Sequence, residues 1–359
     1  MSRFSFASSL RPVSIPGLGR EVVLARDLFA LLKICSLIRR FRPHIVHTHT
    51  AKAGTLGRFA AILTGVPIRV HTFHGHVFHS YFGRAKSRLF LLVERWLARR
   101  TDRVVTLSPR LKEELGDRYR IAPPEKIAVL PLGFEIAPYG SASRFRGELR
   151  RELSLDSAPP LVGIVGRLAP VKNHRLFFRA AAILSRRFPE VRYIVVGDGP
   201  RRPRVEQWAE VEGLAEKTFF LGWRDDLPKI YSDLDLLVLS SLNEGTPLSI
   251  LEAFASGLPV VSTEVGGVGD LFAREGPGGK SHEAPPPPIC SLYREGILVP
   301  SGDAGGLADA MAYMLENPTI ARTMGAHGAR RVRAAHSAEH LARNVETLYT
   351  QLLREKGLL

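Results

Sequence analysis

The 359-residue chain is 45% apolar and carries 50 Lys and Arg against 35 Asp and Glu, a formal net charge of +15. This length predicts two domains of ordinary size, and the apolar fraction predicts a packed globular protein rather than a disordered one. No run of about 18 uninterrupted apolar residues occurs, so no segment is expected to span a bilayer. Cys35 and Cys290, the two cysteines, offer neither a disulfide framework nor a metal-binding pair.

The segment Met1 to Arg11 lacks the basic-then-apolar layout of a signal peptide, which predicts a cytoplasmic protein. The charge is divided unevenly. Up to Ala158 there are 27 Lys and Arg against 12 Asp and Glu, whereas the remainder holds 23 of each. The whole excess therefore belongs to the N-terminal half. Solubility would not require this asymmetry, and it points to an anionic partner: a membrane surface, a lipid phosphate or a nucleic acid.

Along the chain, short β-branched runs alternate with longer helical patterns. Strands are predicted at Ile45–Thr48, Ile68–Phe73, Arg103–Leu107 and Lys126–Pro131, and again at Leu161–Gly166, Tyr193–Gly197, Thr218–Leu221, Leu236–Ser240, Val260–Thr263 and Gly296–Val299. Helical periodicity marks Val23–Arg40, Ala85–Arg99, His174–Arg187 and Pro203–Val211, and most of Leu307–Arg354. Several strands are apolar on both faces, as parallel strands covered on two sides must be. The alternation predicts an α/β protein with doubly wound parallel sheets.

Domain boundaries follow from composition: an N-terminal, basic domain over 1–137, a linker over 138–158, a C-terminal domain over 159–335 and a C-terminal helix over 336–359. The Gly- and Pro-rich stretch Gly276–Pro288 reads as a surface loop. The predicted strands begin only near residue 45, so the first domain is expected to be incomplete at its start.

Three segments carry candidate chemistry. The first, NEGTPLSILEAFASG at Asn243–Gly257, follows a buried strand and opens a helix, with Thr246 as a possible cap and Pro247 in the first turn. Leu248, Leu251 and Ala255 mark an apolar face, and Glu252 falls on or beside it. A carboxylate there is costly unless something bonds to it. Glu244 and Glu252 are read either as a helix-dipole carboxylate with a partly buried salt bridge, or as acceptors for ligand hydroxyls flanking a phosphate at a helix N-terminus.

The second segment, GIVGRLAPVKN at Gly163–Asn173, places Arg167 and Lys172 in a strand-to-helix turn, where open α/β sheets bind ligands. Two cations five residues apart can bracket a diphosphate. Val196–Pro200 (VGDGP) ends the next strand but does not make the dinucleotide fingerprint.

The third is a histidine cluster, with seven of twelve histidines between His44 and His79. Alternation places His47 and His49 on one side of a strand end. A zinc site competes here with core histidines and with hydrogen-bond donors to a polar substrate, but no cysteine or helical HExxH accompanies it.

Together these segments resemble a retaining glycosyltransferase of the GT4 family, which has the GT-B fold of two Rossmann-like domains facing a cleft. The family's Glu, seven residues, Glu pattern stands as Glu244 and Glu252; its Gly-Arg-Leu-x-x-x-Lys turn as Gly166, Arg167, Leu168 and Lys172; its Val-Gly-x-Gly-Pro strand end as Val196–Pro200. Thr72-Phe73-His74 resembles the turn of its first domain. The segments HTHTAKAG and HTFHGHVF resemble members that build bacterial cell-surface polysaccharides. Against the family, the chain starts after the usual first strand, glycine turn and helix, and the 276–288 loop is long.

The resemblance implies a nucleotide-diphosphate sugar, with uridine the commoner base, held by Gly166, Arg167, Lys172, Gly197, Gly199, Gly222, Glu244, Gly245, Thr246, Pro247, Leu248 and Glu252. It implies catalysis by His74, Glu244, Arg167 and Lys172, with Glu252 on the ribose and His74 reaching the transferred sugar from the other domain. His47, His49, Lys52 and His76 fall on the acceptor side. No metal or other cofactor is implied. The basic half then suits a lipid-pyrophosphate-linked acceptor at the inner, anionic membrane face, with no nucleic acid. Alternatives are a nucleotide-sugar epimerase of the same fold, a basic nucleic-acid binder and an inactive scaffold.

Overall fold

The computed structural model describes residues 12–19, 22–75, 84–155, 158–273 and 291–359. The chain divides into two compact units. The first comprises residues up to Thr106, Lys112–Val129 and Glu346–Leu359; the second comprises Leu107–Leu111 and Leu130–Val345.

The first unit runs α1 (Leu24–Phe41), β1 (Ile45–His49), α2 (Ala51–Leu63), β2 (Ile68–Phe73), α3 (Arg84–Arg99), β3 (Arg103–Thr106), then a short α4 (Pro109–Glu113) at the boundary and β4 (Ile127–Val129). Its four described strands pair in parallel in the order β1-β2-β3-β4. Cys35 and Ile38 of α1 pack against Ala60 and Ala61 of α2. Helix α2 lies close against the sheet because it carries glycines at the contact. A β-carbon at Gly54 would lie 2.4 Å from the His71 ring, and one at Gly57 would lie 2.8 Å from the Thr48 methyl. Each glycine costs the helix about 1 kcal/mol of propensity, which the close packing offsets.

In the second unit come α5 (Ala137–Gly140), α6 (Glu148–Glu152), β5 (Leu161–Val165), α7 (His174–Arg187), β6 (Arg192–Val196), α8 (Arg202–Val211), β7 (Thr218–Gly222), α9 (Leu227–Asp233) and β8 (Leu236–Leu239). They are followed by α10 (Leu248–Ala255), β9 (Val260–Thr263), β10 (Ser291–Tyr293), β11 (Gly296–Val299), α11 (Ala304–Glu316), α12 (Pro318–Ala335) and α13 (Ala338–Glu355). The sheet order is β10-β11-β9-β8-β5-β6-β7, parallel except for β10 on β11. Val162 and Ile164 of β5 enter one apolar layer, with Phe177 and Leu307. Leu161 and Val165 enter the other, with Phe254 and Leu237. Both faces are covered, so the strands have no polar side to show in the sequence.

Three boundaries differ from the composition-based reading. Residues expected to form the 138–158 linker are folded, where described, into α5, a 3-10 turn (Ala142–Phe145) and α6 of the second unit. The buried Asp233 carboxylate accepts the N–H groups of Gly147, Leu149 and Arg150, and Arg150 pairs with Asp235 at 2.8 Å. A polar, basic composition concealed this, because the anchoring acid lies more than 80 residues away. The first unit ends at Val129 rather than at 137. Helix α13 is not a separate element: from Glu346 onward it belongs to the first unit, where Tyr349 bonds His47 and Lys356 pairs with Asp102. The 276–288 loop lies outside the described residues.

Asp233→Ala leaves three amide donors of the α6 entry without their acceptor. It is expected to lower stability by about 3 kcal/mol, with Asp233→Asn intermediate, as measured by urea unfolding.

Candidate active site

In the second sheet, β5 leads to β6 on one side while its other neighbour, β8, leads to β9 in the opposite direction. Such a reversal of winding leaves a crevice at the carboxyl ends of the two strands. The turns after β5 and β8 meet there. Lys172 Nζ donates to Glu244 Oε1 at 2.6 Å, and Ser241 Oγ donates to the same oxygen at 2.6 Å. Ser240 Oγ donates to the carbonyls of Lys172 and Asn173, and Leu242 N–H donates to Val171 O. Thr263 of β9 donates to Ser241 O, and Gly267 N–H donates to Glu244 O at 3.0 Å.

Several polar groups around this junction are open. Glu244 Oε2 accepts no bond among the described residues. Thr246 Oγ1 is buried without a partner among the described residues. The N–H groups of Leu248 and Ser249, at the start of α10, donate to no acceptor among the described residues, as the first amides of a helix cannot within the helix itself. The Arg167 side chain is exposed and has no ion-pair partner among the described residues. Open amides at a helix N-terminus, an orphan hydroxyl and a free guanidinium are donors suited to phosphate oxygens.

The two cations expected to bracket a diphosphate therefore differ. Arg167 is available, whereas Lys172 is committed to Glu244. Thr246 does not cap α10; Pro247 occupies the cap position and no side chain bonds there. Leu248 is 42% exposed rather than part of the apolar face, because α10 begins at the crevice and is buried only from Ser249 onward. Glu252 is 6% exposed, and both carboxylate oxygens are engaged: Tyr139 Oη donates to Oε1 at 2.9 Å and Tyr231 Oη to Oε2 at 3.0 Å. Burial pushes its carboxyl above the usual range, opposed by the two hydroxyls. The expected cost of a carboxylate on the buried face is thus met by two tyrosines.

Gly197 and Gly199 serve chain packing. A β-carbon at Gly197 would lie 2.1 Å from Gly166 O, and one at Gly199 would lie 2.5 Å from Leu168 O. Gly166 N–H donates to Val196 O, Leu168 N–H to Asp198 O and Gly197 N–H to Gly222 O, so the turns after β5, β6 and β7 are bonded in series. Gly222 takes a positive φ of 66° at the end of β7. Gly245 abuts Gly267, where a β-carbon would lie 2.2 Å from Gly245 O. The sequence reading missed Ser241, Tyr139 and Tyr231. Only Ser241, three residues before Glu244, had a local signal.

In the first unit, His47 and His49 stack with ring centroids 4.5 Å apart at the carboxyl end of β1. His47 bonds Tyr349 Oη at 2.6 Å and Thr72 Oγ1 at 2.7 Å; His49 Nδ1 bonds His74 Nε2 at 2.9 Å; His71 bonds Thr48 Oγ1 at 2.8 Å. Burial, with the neighbouring rings, brings His47 down to about 4; burial, with the Arg58 guanidinium next, brings His71 down to about 2. Burial also lowers His49 and His74. Lys52 pairs with Asp27 at 2.5 Å and is held against α1. His76 lies outside the described residues. Among the described residues, no group of three His, Cys, Asp or Glu side chains is arranged to hold a metal ion.

Residues 145–331 match the family described as Glycosyl transferases group 1, and residues 7–133 match the Glycosyl transferase 4-like domain. The chain belongs to the group 1 glycosyl transferases. It is 34% identical over 271 residues to the UDP-Gal:alpha-D-GlcNAc-diphosphoundecaprenol alpha-1,3-galactosyltransferase of Escherichia coli, covering 74% of this chain and 70% of the relative. It is 24% identical over 343 residues to the capsular polysaccharide biosynthesis glycosyltransferase CapM of Staphylococcus aureus, covering 94% and 84%. Its fold matches the GT-B sucrose-phosphate synthase of Thermosynechococcus elongatus with a TM-score of 0.77 at 24% identity, over 94% of this chain and 80% of that one. HepE of Anabaena, solved with UDP, matches with a TM-score of 0.74 at 23% identity, over 89% and 82%. This glycosyltransferase therefore has the expected GT-B-type α/β units.

Two outcomes follow from this geometry. Gly197→Ala, with its φ of 123° and the Gly166 carbonyl in the way, is expected to cost more than about 3 kcal/mol in thermal or urea unfolding. The folded histidines resist the protons that their unfolded counterparts take up near 6.5. Stability is therefore expected to fall as pH drops from about 6.5 toward about 4, with a shallower dependence in His47→Gln.

Proposed function

We propose that this glycosyltransferase moves a hexose from a uridine-diphosphate sugar to an acceptor carried on a lipid pyrophosphate, with retention at the anomeric carbon and without a metal, in the synthesis of cell-envelope glycan. The observation that carries this reading is the junction at the ends of β5 and β8. There Glu244 is pinned through one oxygen by Lys172 and Ser241 while its other oxygen accepts no bond among the described residues, and the same two turns carry the unpartnered Thr246 hydroxyl, the first amides of α10 and the exposed Arg167. The base and the lipid-linked acceptor are supported by the name of the Escherichia coli relative, and the envelope role by that of CapM. HepE, solved with UDP, supports the base through its fold.

In this reading the departing diphosphate gathers negative charge as the glycosidic bond breaks. Arg167 and the α10 amides stabilise it; fixed donors of this kind are each worth about 3–4 kcal/mol. Glu244 Oε2 accepts from a hydroxyl of the transferred sugar, and Lys172 orients the carboxylate. Glu252 serves the ribose only as an additional acceptor, since Tyr139 and Tyr231 already occupy it. The roles of His74 toward the transferred sugar and of His47 on the acceptor side rest on the resemblance to the family. Retention rests on the resemblance to the family.

UDP-sugars are expected to raise the melting temperature in a nucleotide-sugar screen. Glu244→Gln and Lys172→Met are expected to reduce transfer about a hundredfold or more while the far-UV spectrum is kept. EDTA is expected to leave the rate unchanged. Turnover at the parental rate in either variant would remove the site assignment.

A further inference from the structure

Alternation along β1 sends His47 and His49 to the same side, and the two rings differ in what they bond. Both nitrogens of the half-buried His47 are taken: Nδ1 lies 2.6 Å from Tyr349 Oη and Nε2 lies 2.7 Å from Thr72 Oγ1. Tyr349 comes from α13, 302 positions along the chain, and its ring lies edge-on to His47 with centroids 5.8 Å apart. Burial brings His47 down to about 4, so it is neutral at pH 7. A neutral imidazole donates through one nitrogen and accepts through the other. A phenol is a stronger acid than an alcohol, which makes Tyr349 the donor. His47 then carries its proton on Nε2 and donates it to Thr72 Oγ1, and neither nitrogen is left for a substrate.

The clamped His47 ring is a platform for the next one. His49 stacks on it with centroids 4.5 Å apart and planes inclined by 25°, and His49 Nδ1 bonds His74 Nε2 at 2.9 Å. His49 and His74 are exposed, and their remaining nitrogens bond nothing among the described residues. Between two neutral imidazoles one ring donates and the other accepts. If His49 donates, His74 carries its own proton on Nδ1; if His74 donates, its Nδ1 is a bare lone pair. The direction of one hydrogen bond thus decides whether the free nitrogen of His74 is a donor or an acceptor. The backbone beside this pair is strained: Thr50, directly after His49, has φ 63° and ψ 170°, a region that glycine adopts far more readily. Such strain persists only where the surrounding contacts over-determine the geometry.

We propose that Tyr349 is a positioning residue for His74, acting through the clamped His47 ring and the stacked His49 ring to fix the direction of the His49–His74 hydrogen bond. Without the Tyr349 hydroxyl, His47 keeps one bond instead of two and its ring is free to turn and to exchange tautomers. His49 then loses a fixed surface to stack on, and His74 offers its free nitrogen as a donor in some molecules and as an acceptor in others. A sugar hydroxyl held in one orientation is matched by one of these forms. Anchoring of α13 alone does not require this hydroxyl, since Leu352 is buried and Lys356 pairs with Asp102 at 2.9 Å. The role of His74 toward the sugar is that of the proposed transfer reaction, on which the catalytic part of this inference rests.

The test is Tyr349→Phe in the full chain, with imidazole nitrogen shifts read by NMR at pH 8 beside transfer kinetics and melting temperature. His47, His49 and His74 all titrate below 6.5, so the three rings are neutral there. In the parent, His47 is expected to carry its proton on Nε2, with His49 and His74 each in a single tautomer. In Tyr349→Phe the nitrogen signals of His49 and His74 are expected to move toward tautomer-averaged positions. The variant's kcat is expected to fall about tenfold while KM for the UDP-sugar stays parental. Its melting temperature is expected to stay within about 3 °C of the parent, as for one lost hydrogen bond. Thr72→Val, which opens the other side of the clamp, is expected to give the same nitrogen signature. Unchanged His49 and His74 signals in Tyr349→Phe, or a parental kcat, would overturn the proposal, as would a parent with His47 protonated on Nδ1. A lower kcat with unchanged ring signals and a large loss of melting temperature would reduce Tyr349 to a structural contact. If the parent transfers no sugar, the transfer reading fails, and the ring signals by themselves decide the positioning.

Discussion

The ion pair between Lys172 and Glu244 sets the terms for everything around it. It closes two turns that leave neighbouring strands in opposite directions, and it is largely withdrawn from water. A pair of this kind contributes little net stability, because desolvation consumes most of the Coulomb gain. Its consequence is positional. The lysine fixes one carboxylate oxygen, Ser241 supports the same oxygen, and the second oxygen accepts no bond among the described residues. Because the lysine's charge is committed, the attraction for an incoming anion must come from Arg167 and the first amides of α10.

Close backbone approach is the second constraint. The turns after β5, β6 and β7 exchange hydrogen bonds in sequence, and glycine stands wherever one turn passes over the next. Gly266 and Gly267 do the same against Glu244 and Gly245, where added β-carbons would lie 2.0 and 2.2 Å from the carbonyl oxygens. These glycines shape the crevice by letting its walls touch. The VGDGP and GGV segments thus act on a ligand indirectly, through the rigidity of the loops that carry Arg167 and Glu244.

The first unit separates its polar groups by position, histidines at the strand ends and cations on the helices. Four histidines gather at the ends of β1 and β2, where burial holds His47 and His71 well below the usual imidazole range, His49 and His74 are exposed, and each ring bonds a hydroxyl or another ring. The cations stand on the helices outside. Helices α1, α2 and α3 contribute eleven Lys and Arg against two acids to the net charge of +15, a figure that counts the histidines as neutral. This separation lets one unit present a polar strand end and a strongly basic exterior.

The sequence by itself determined the parallel α/β architecture of both units, since doubly covered strands must read as apolar runs and the helices between them keep their period. It also placed Arg167, Lys172, Glu244 and the histidine pair at strand ends, because a strand followed by a turn and a helix is a local pattern. Tertiary structure alone decided which charges are spent. Nothing near Glu252 announces Tyr139 and Tyr231, nothing near Gly147 announces Asp233, and nothing near His47 announces Tyr349. These bonds join residues from 21 to 302 positions apart. Periodicity and spacing report only on neighbours along the chain, so a partner brought by the fold leaves no trace in the residues beside it.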